Sequence, residues 1–188
     1  MGDFVLDVER TALDGLLIVT PRRFGDARGF FSEVYTRARY HDAGITAEFV
    51  QDNHSYSGPV GTVRGLHFQR PPFAQAKLVR VLKGAILDVA IDLRRASPTF
   101  GWHVSVELSA RAWNQLYIPV GFAHGFCTLE PDTEVSYKVD TYYSAEHDGG
   151  VLWNDPALGI TWPVDAAMAV LSDKDKQFPR LCHLPDIF

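Results

Sequence analysis

A mainly β fold, a jelly-roll β-barrel with a few short helices, is predicted by three observations on this sequence. Polar and apolar residues alternate with period two in several runs between about residues 15 and 143. Turn-forming residues separate those runs at similar intervals, among them Ser57-Gly58-Pro59, Arg70-Pro71-Pro72, Gly84, Ser97-Pro98, Gly121 and Glu130-Pro131-Asp132. Helical periodicity is scarce, and many short strands at this spacing suit a sandwich or barrel of about ten or more strands.

The elements follow in order. Thr36 to Ala43 is a candidate helix, with Thr36 at the cap position and Gly44 at its end. His67 lies in a strand with Gly65 and Gln69 at the same parity, so these three should face one side. In 85–94 the odd positions are all apolar while the even ones include Asp88, Asp92 and Arg94, which marks a strand with two different faces. Residues 102–109 and 134–140 repeat the alternation, and antiparallel pairing is favoured. Ser109 to Trp113 forms at most a turn, and Ser172-Asp173-Lys174-Asp175 reads as a cap leading into a brief C-terminal helix. No repeat or linker interrupts the sequence, so one domain is expected over 1–188.

Composition narrows the function. A chain of 188 residues can bury roughly 70% of the surface of its unfolded form, enough for a core without staples. Cys127 and Cys182 are too few for a disulfide framework and lack zinc-binding spacing, which points to free thiols in a reducing, cytoplasmic setting. Met1 to Arg10 carries Asp3, Asp7 and Glu9 in place of a basic secretory start, and no stretch approaches the roughly 20 apolar residues of a membrane span. A net charge of -5 argues against nucleic acid as a partner. An anionic small molecule needs only a local cluster of cations, for which Arg28, Arg64 and Lys77 are candidates.

Thr62-Val63-Arg64-Gly65-Leu66-His67-Phe68-Gln69, with Lys77, Tyr137-Lys138 and Ser172-Asp173, supplies a base, cations and a phenol. A base opposite a phenolic acid, with a cation between them, can move a proton from one face of a carbon beside a ketone to the other. Each residue also has a plainer reading. His67 could be a hydrogen-bonded core histidine, and Arg64, at opposite parity, can share its cavity only across a bend or bulge that Gly65 makes plausible. Asp173 could be a helix cap or could orient His67, and Tyr137 could be a core aromatic with a tethered hydroxyl. Tyr142 and Tyr143 could stack on a ligand base or cover the barrel mouth. His124, in Pro119-Val120-Gly121-Phe122-Ala123-His124, resembles one half of a cupin metal signature. The other half, a His-x-His with a downstream Glu, is missing, so a metal-dependent cupin enzyme is the weaker reading and His124 is taken as a structural or substrate-contacting residue.

From about Gly15 to Asp173 the sequence resembles the dTDP-4-dehydrorhamnose 3,5-epimerase family. The resemblance is carried by Asp26-Ala27-Arg28-Gly29-Phe30-Phe31, Gln51-Asp52-Asn53-His54-Ser55, Val63 to Gln69, Gln75-Ala76-Lys77, Asp88 to Arg94, Ser97 to Gly101, Pro119 to Phe126, Tyr137-Lys138 and Leu171-Ser172-Asp173. It implies a cupin-like jelly roll working without metal or organic cofactor on dTDP-4-keto-6-deoxyglucose, as a homodimer sharing an N-terminal strand. By the same resemblance His67 is the base, Asp173 its dyad partner, Tyr137 the acid, and Lys77 the cation near the substrate ketone. Arg28 from the neighbouring subunit and Arg64 hold the diphosphate. Gln51, Asn53 and Tyr143 line the sugar and nucleotide pocket, with Phe31, Glu33 and His124 as further substrate contacts. An enzyme of this family that inverts C3 or C5 alone remains an alternative.

Overall fold

The computed structural model describes residues 6–188, so Asp3 and the rest of 1–5 lie outside the described residues. In chain order its strands are β1 (Leu6–Arg10), β2 (Leu17–Pro21), β3 (Phe24–Asp26), β4 (Gly29–Phe31), β5 (Gln51–Ser57), β6 (Val63–Gln69) and β7 (Lys77–Lys83). These are followed by β8 (Ala85–Asp92), β9 (His103–Ser109), β10 (Gln115–Ile118), β11 (Phe122–Thr128), β12 (Thr133–Val139) and β13 (Asp148–Gly150), with one short α-helix, α1 (Arg37–Asp42), between β4 and β5 and 3-10 turns at Pro156–Leu158 and Leu181–His183. A six-stranded sheet runs β1-β2-β10-β7-β12-β5 and a five-stranded one β13-β6-β11-β8-β9, while β3 and β4 form a separate hairpin. Every pairing within them is antiparallel. The jelly roll is therefore two facing sheets that hydrogen bonding does not close into a continuous barrel.

Four apolar clusters hold the sheets, the smallest being Val63, Cys127 and Trp153. Val79, Val81, Ile86, Ala90, Leu108, Leu116, Ile118, Phe122, Phe126 and Val135 fill the gap between them. Tyr40 of α1 and Ile45 pack with Leu17, Val19, Leu78 and Tyr117 on the outer face of the six-stranded sheet. Leu66, Phe68, Val89, Ile91 and Leu93 are covered by Leu181, Leu184, Ile187 and Phe188 on the outer face of the other.

That last layer explains why β8 differs from its simplest reading. Its odd, apolar residues face the C-terminal segment, so the even residues Ile86, Asp88, Ala90 and Asp92 turn towards the gap between the sheets, and nearly the whole strand is buried. Both buried aspartates have partners. Asp92 accepts from Arg94, Ser97 and Thr99, and although burial opposes its charge, these bonds hold its pKa well below the usual carboxylate range.

The local expectations fare unevenly. The helix at 36–43 forms as α1, but the Thr36 side chain makes no cap bond and donates to Glu33 Oε2 at 3.1 Å instead. The C-terminal helix does not form: 173–176 make one turn, with Ser172 Oγ accepting from the Asp175 N–H at 3.1 Å. Pro179, which lacks an N–H and restrains the residue before it, prevents continuation.

Gly65 and Gly125 let β6 and β11 approach more closely than any side chain would allow. A Cβ on Gly65 would lie 2.5 Å from the Gly125 Cα, and its φ is +123°. Here the register shifts, His124 pairing with His67 but Phe126 with Arg64. This irregularity is the bulge needed for Arg64 and His67 to enter one cavity. Gly65→Ala is expected to destabilise the fold by about 3 kcal/mol from combined backbone strain and overlap, measurable as a lower urea midpoint at unchanged m.

Candidate active site

Two adjoining cavities, of about 420 and 230 Å³, open between the sheets and share His67, Lys77, Tyr137 and Lys174. His67 comes from β6 in the five-stranded sheet, and Tyr137 and Lys77 from β12 and β7 in the six-stranded one. The alternation of each strand sets these directions: Leu66 and Phe68 point outward while His67 points in, and Tyr137 shares its face with Val135. The imidazole and the phenol thus approach one space from opposite walls.

His67 is held from the C-terminal side of the chain. Its Nε2 lies 2.5 Å from Asp175 Oδ1, and the Phe178 ring meets it edge-on with centroids 5.6 Å apart. Burial works against the Asp175 charge, but bonds from His67, Ser172 and the Gly65 backbone outweigh it and keep the pKa below the ordinary value. A carboxylate can only accept, so Nε2 carries the proton and Nδ1 is the nitrogen left free to take one.

This geometry corrects the assignment of Asp173. Its side chain is 93% exposed and pairs with Lys176 across the turn. The turn at 173–176 faces Asp173 to solvent and buries Asp175, two residues further on, to 4% exposure. With two aspartates in Ser172-Asp173-Lys174-Asp175, only the direction of the turn decides which one reaches the histidine.

The remaining polar groups are positioned by their neighbours. Burial pushes the Lys77 ammonium down to about 8, opposed by the charges of Asp88 and Asp148. Burial likewise raises the Tyr137 hydroxyl, which Arg64 moderates, so the phenol keeps its proton at neutral pH. His124 donates from Nε2 to Asp88 Oδ1 at 2.5 Å, and its own pKa is lowered by burial. Arg64 donates to Ser57 Oγ and to the Tyr56 carbonyl, and has no carboxylate partner among the described residues. Gln51 and Asn53 are joined by a 2.8 Å bond, and Tyr143 donates from its hydroxyl to Asp148 Oδ2.

The structure gathers His67, Lys77, Tyr137, Gln51, Asn53, Arg64, His124 and Tyr143 at these cavities. It does not bring Arg28, Phe31 or Glu33 there within one chain. Arg28 sits at the tip of the β3–β4 hairpin, 90% exposed and paired with Asp26, and Phe31 on β4 is 63% exposed. Glu33 is bonded to Arg39 and Thr36 beside α1.

Sequence reasoning missed Asp175, Asp148, Lys174, Gln69, Gln75 and Asp88 as site residues. Asp148 accepts from both Tyr143 and Lys174, and Gln69 ties Phe73, Tyr142 and Ser144 together at the rim. Gln69 had left a signal in its parity with His67, Gln75 in the motif it shares with Lys77, and Asp88 as an acid in an otherwise apolar run.

An imidazole and a phenol on facing sheets, with a buried ammonium beside them, suit an acid–base isomerase built in a cupin-like jelly roll. Residues 10–183 match the family described as dTDP-4-dehydrorhamnose 3,5-epimerase, and the chain belongs to that family. It is 54% identical over 171 residues to the dTDP-4-dehydrorhamnose 3,5-epimerase of Sinorhizobium fredii, covering 91% of this chain and 87% of that protein. The crystal structure of the enzyme of that name from Bacillus anthracis, with TDP and PPi bound, is 53% identical with a TM-score of 0.91, covering 94% of this chain and 99% of the other. A Legionella pneumophila dTDP-6-deoxy-D-glucose-3,5-epimerase in complex with dTDP-4-keto-L-rhamnose is 43% identical with a TM-score of 0.91, covering 96% and 95%.

Asp175→Asn is expected to lower turnover by about 100-fold or more, because the amide can no longer fix the tautomer of His67, while Asp173→Asn stays within about twofold of the native rate. Steady-state kinetics of the two variants side by side decide between them.

Proposed function

We propose that this chain is a dTDP-4-dehydrorhamnose 3,5-epimerase, inverting C3 and C5 of dTDP-4-keto-6-deoxyglucose in dTDP-L-rhamnose synthesis. The observation that carries the reading is the entry of His67 and Tyr137 into shared cavities from opposite sheets. Both C3 and C5 adjoin the C4 ketone, so loss of either proton leaves an enolate with its charge largely on O4. His67 Nδ1 removes the proton from one face, Lys77 donates to O4, and Tyr137 delivers its own proton to the other face. Each centre is inverted without net change in composition, and exchange with water then returns the proton from His67 and restores that of Tyr137. A preorganised donor such as Lys77 contributes about 3 to 4 kcal/mol at the transition state. Dyad support of His67 by Asp175 keeps the base in one orientation through both abstractions.

The residues at the rim fit a nucleotide diphosphate sugar. Arg64 presents a guanidinium beside His67, suited to a diphosphate oxygen, and Tyr143 offers an exposed ring for a base. Arg28 belongs to this set as a contribution from a second copy in a homodimer. The reading is supported by its exposure on a hairpin that also displays Phe30 and Phe31, apolar surface that a partner would cover. Residues 1–188 act as one catalytic domain in this scheme.

His67→Ala and Tyr137→Phe are each expected to reduce turnover at least 100-fold. Deuterium uptake from heavy water, read separately at C3 and C5 by NMR, tests the whole scheme. Exchange at both carbons is the expected result; exchange at one alone makes the chain a monofunctional epimerase, and exchange at neither overturns the reading. Because Lys77 serves as an ammonium with its pKa near 8, kcat should fall as the pH rises through about 8 and hold on the acid side of that limb.

A further inference from the structure

Asp88 lies on the inner face of β8 between Ile86 and Ala90, fully buried. One oxygen accepts from His124 Nε2, and the other, Oδ2, is buried with no hydrogen-bond partner among the described residues. A buried carboxylate oxygen without a donor is costly unless an opposite charge stands near it. Lys77 supplies one. It is a buried cation lining the same cavity as His124, and among its charged neighbours Asp88 acts on it most strongly, ahead of Asp148.

We propose that Asp88 is a positioning residue with two dependants: its bonded oxygen fixes the tautomer of His124, and its free oxygen provides the counter-charge that keeps Lys77 an ammonium between the sheets. With Nε2–H committed to Asp88, His124 offers Nδ1 as an acceptor only, so it cannot compete with Lys77 as a donor to the developing enolate oxygen. The titratable and charged groups around Lys77 are Asp88 on β8, Arg64 and His67 on β6, His124 on β11, Tyr137 on β12, Tyr143 after it, Asp148 on β13, and Lys174 and Asp175 on the 173–176 turn. Asp88 and Asp148 are the anions of that set bearing on Lys77, and Asp148 is already engaged by Lys174 and Tyr143.

The catalytic part of this inference rests on the epimerase reading, so its test has one arm in turnover and one outside it. In the full-length Asp88→Asn protein the alkaline limb of kcat should move to lower pH by about one unit, with kcat at pH 8 reduced about fivefold and KM little changed. Asp88→Glu should return the limb towards its native position even if the rate stays low. A limb that does not move in Asp88→Asn overturns the proposal. The second arm needs no turnover: Lys77→Met should raise the pH at which nitrogen NMR sees the His124 imidazole titrate, and because Lys77 also bears on His124 directly, adding Asp88→Asn in the same background, which should lower it again, isolates the share of Asp88. An unchanged His124 titration also overturns the proposal. Native protein lacking exchange at both C3 and C5 defeats the epimerase reading instead, and the NMR arm still decides the link between Asp88, Lys77 and His124.

Discussion

Burying charge between two sheets is the constraint on which the rest of this structure depends. The idealised cost of moving one ion into a dry interior is of order 20 kcal/mol, and several kcal/mol per ion persist after relaxation. The gap nonetheless holds Lys77, Asp88 and Asp175, each under 10% exposed. Their arrangement is reciprocal: Asp175 takes bonds from His67, Ser172 and the Gly65 backbone, and Asp88 takes His124 while facing Lys77. Removing any one of them weakens the support of a neighbour: Lys77 for Asp88, His124 for Asp88, His67 for Asp175. Stability and chemistry therefore draw on the same few contacts.

Backbone geometry makes those contacts reachable. The Gly65–Gly125 approach shifts the register between β6 and β11, and this irregularity turns Arg64 and His67 towards one cavity although strand parity alone would separate them. On the opposite wall β12 has its own register shift against β7, at Glu134/Val135, and Tyr137 takes its direction from the in-register stretch Val135 to Val139 beyond it. His67 thus sits beside a shift in register, and Tyr137 on the in-register stretch that follows one.

Much of the fold was legible in the sequence because strand alternation is a local property. The strands at 85–92, 103–109 and 133–139 appear where period-two patterning places them. What alternation could not reveal is which face would be inside. In β8 the apolar residues lie against the C-terminal segment and Asp88 faces the gap, since residues some ninety positions further along the chain cover the other side. The site was legible to the same degree. His67, Lys77 and Tyr137 were found through type and resemblance, but the partner of His67 depended on the rotation of one turn, and Asp175 replaced Asp173. Asp148 and Lys174 reach the cavity from loop and sheet edge, where no periodicity marks them.

Since the imidazole and the phenol stand on different sheets, the width of the slot between them is governed by the apolar layer that holds those sheets apart, not by the residues that touch the ring. Facing sheets settle at about 10 Å, and side-chain volume in that layer trims the spacing. Val79, Ala90 and Val135 belong to this layer. They act as spacers for the jaws, so a library meant to admit a bulkier or flatter hexose has as much to gain from small volume changes there as from recutting the pocket walls.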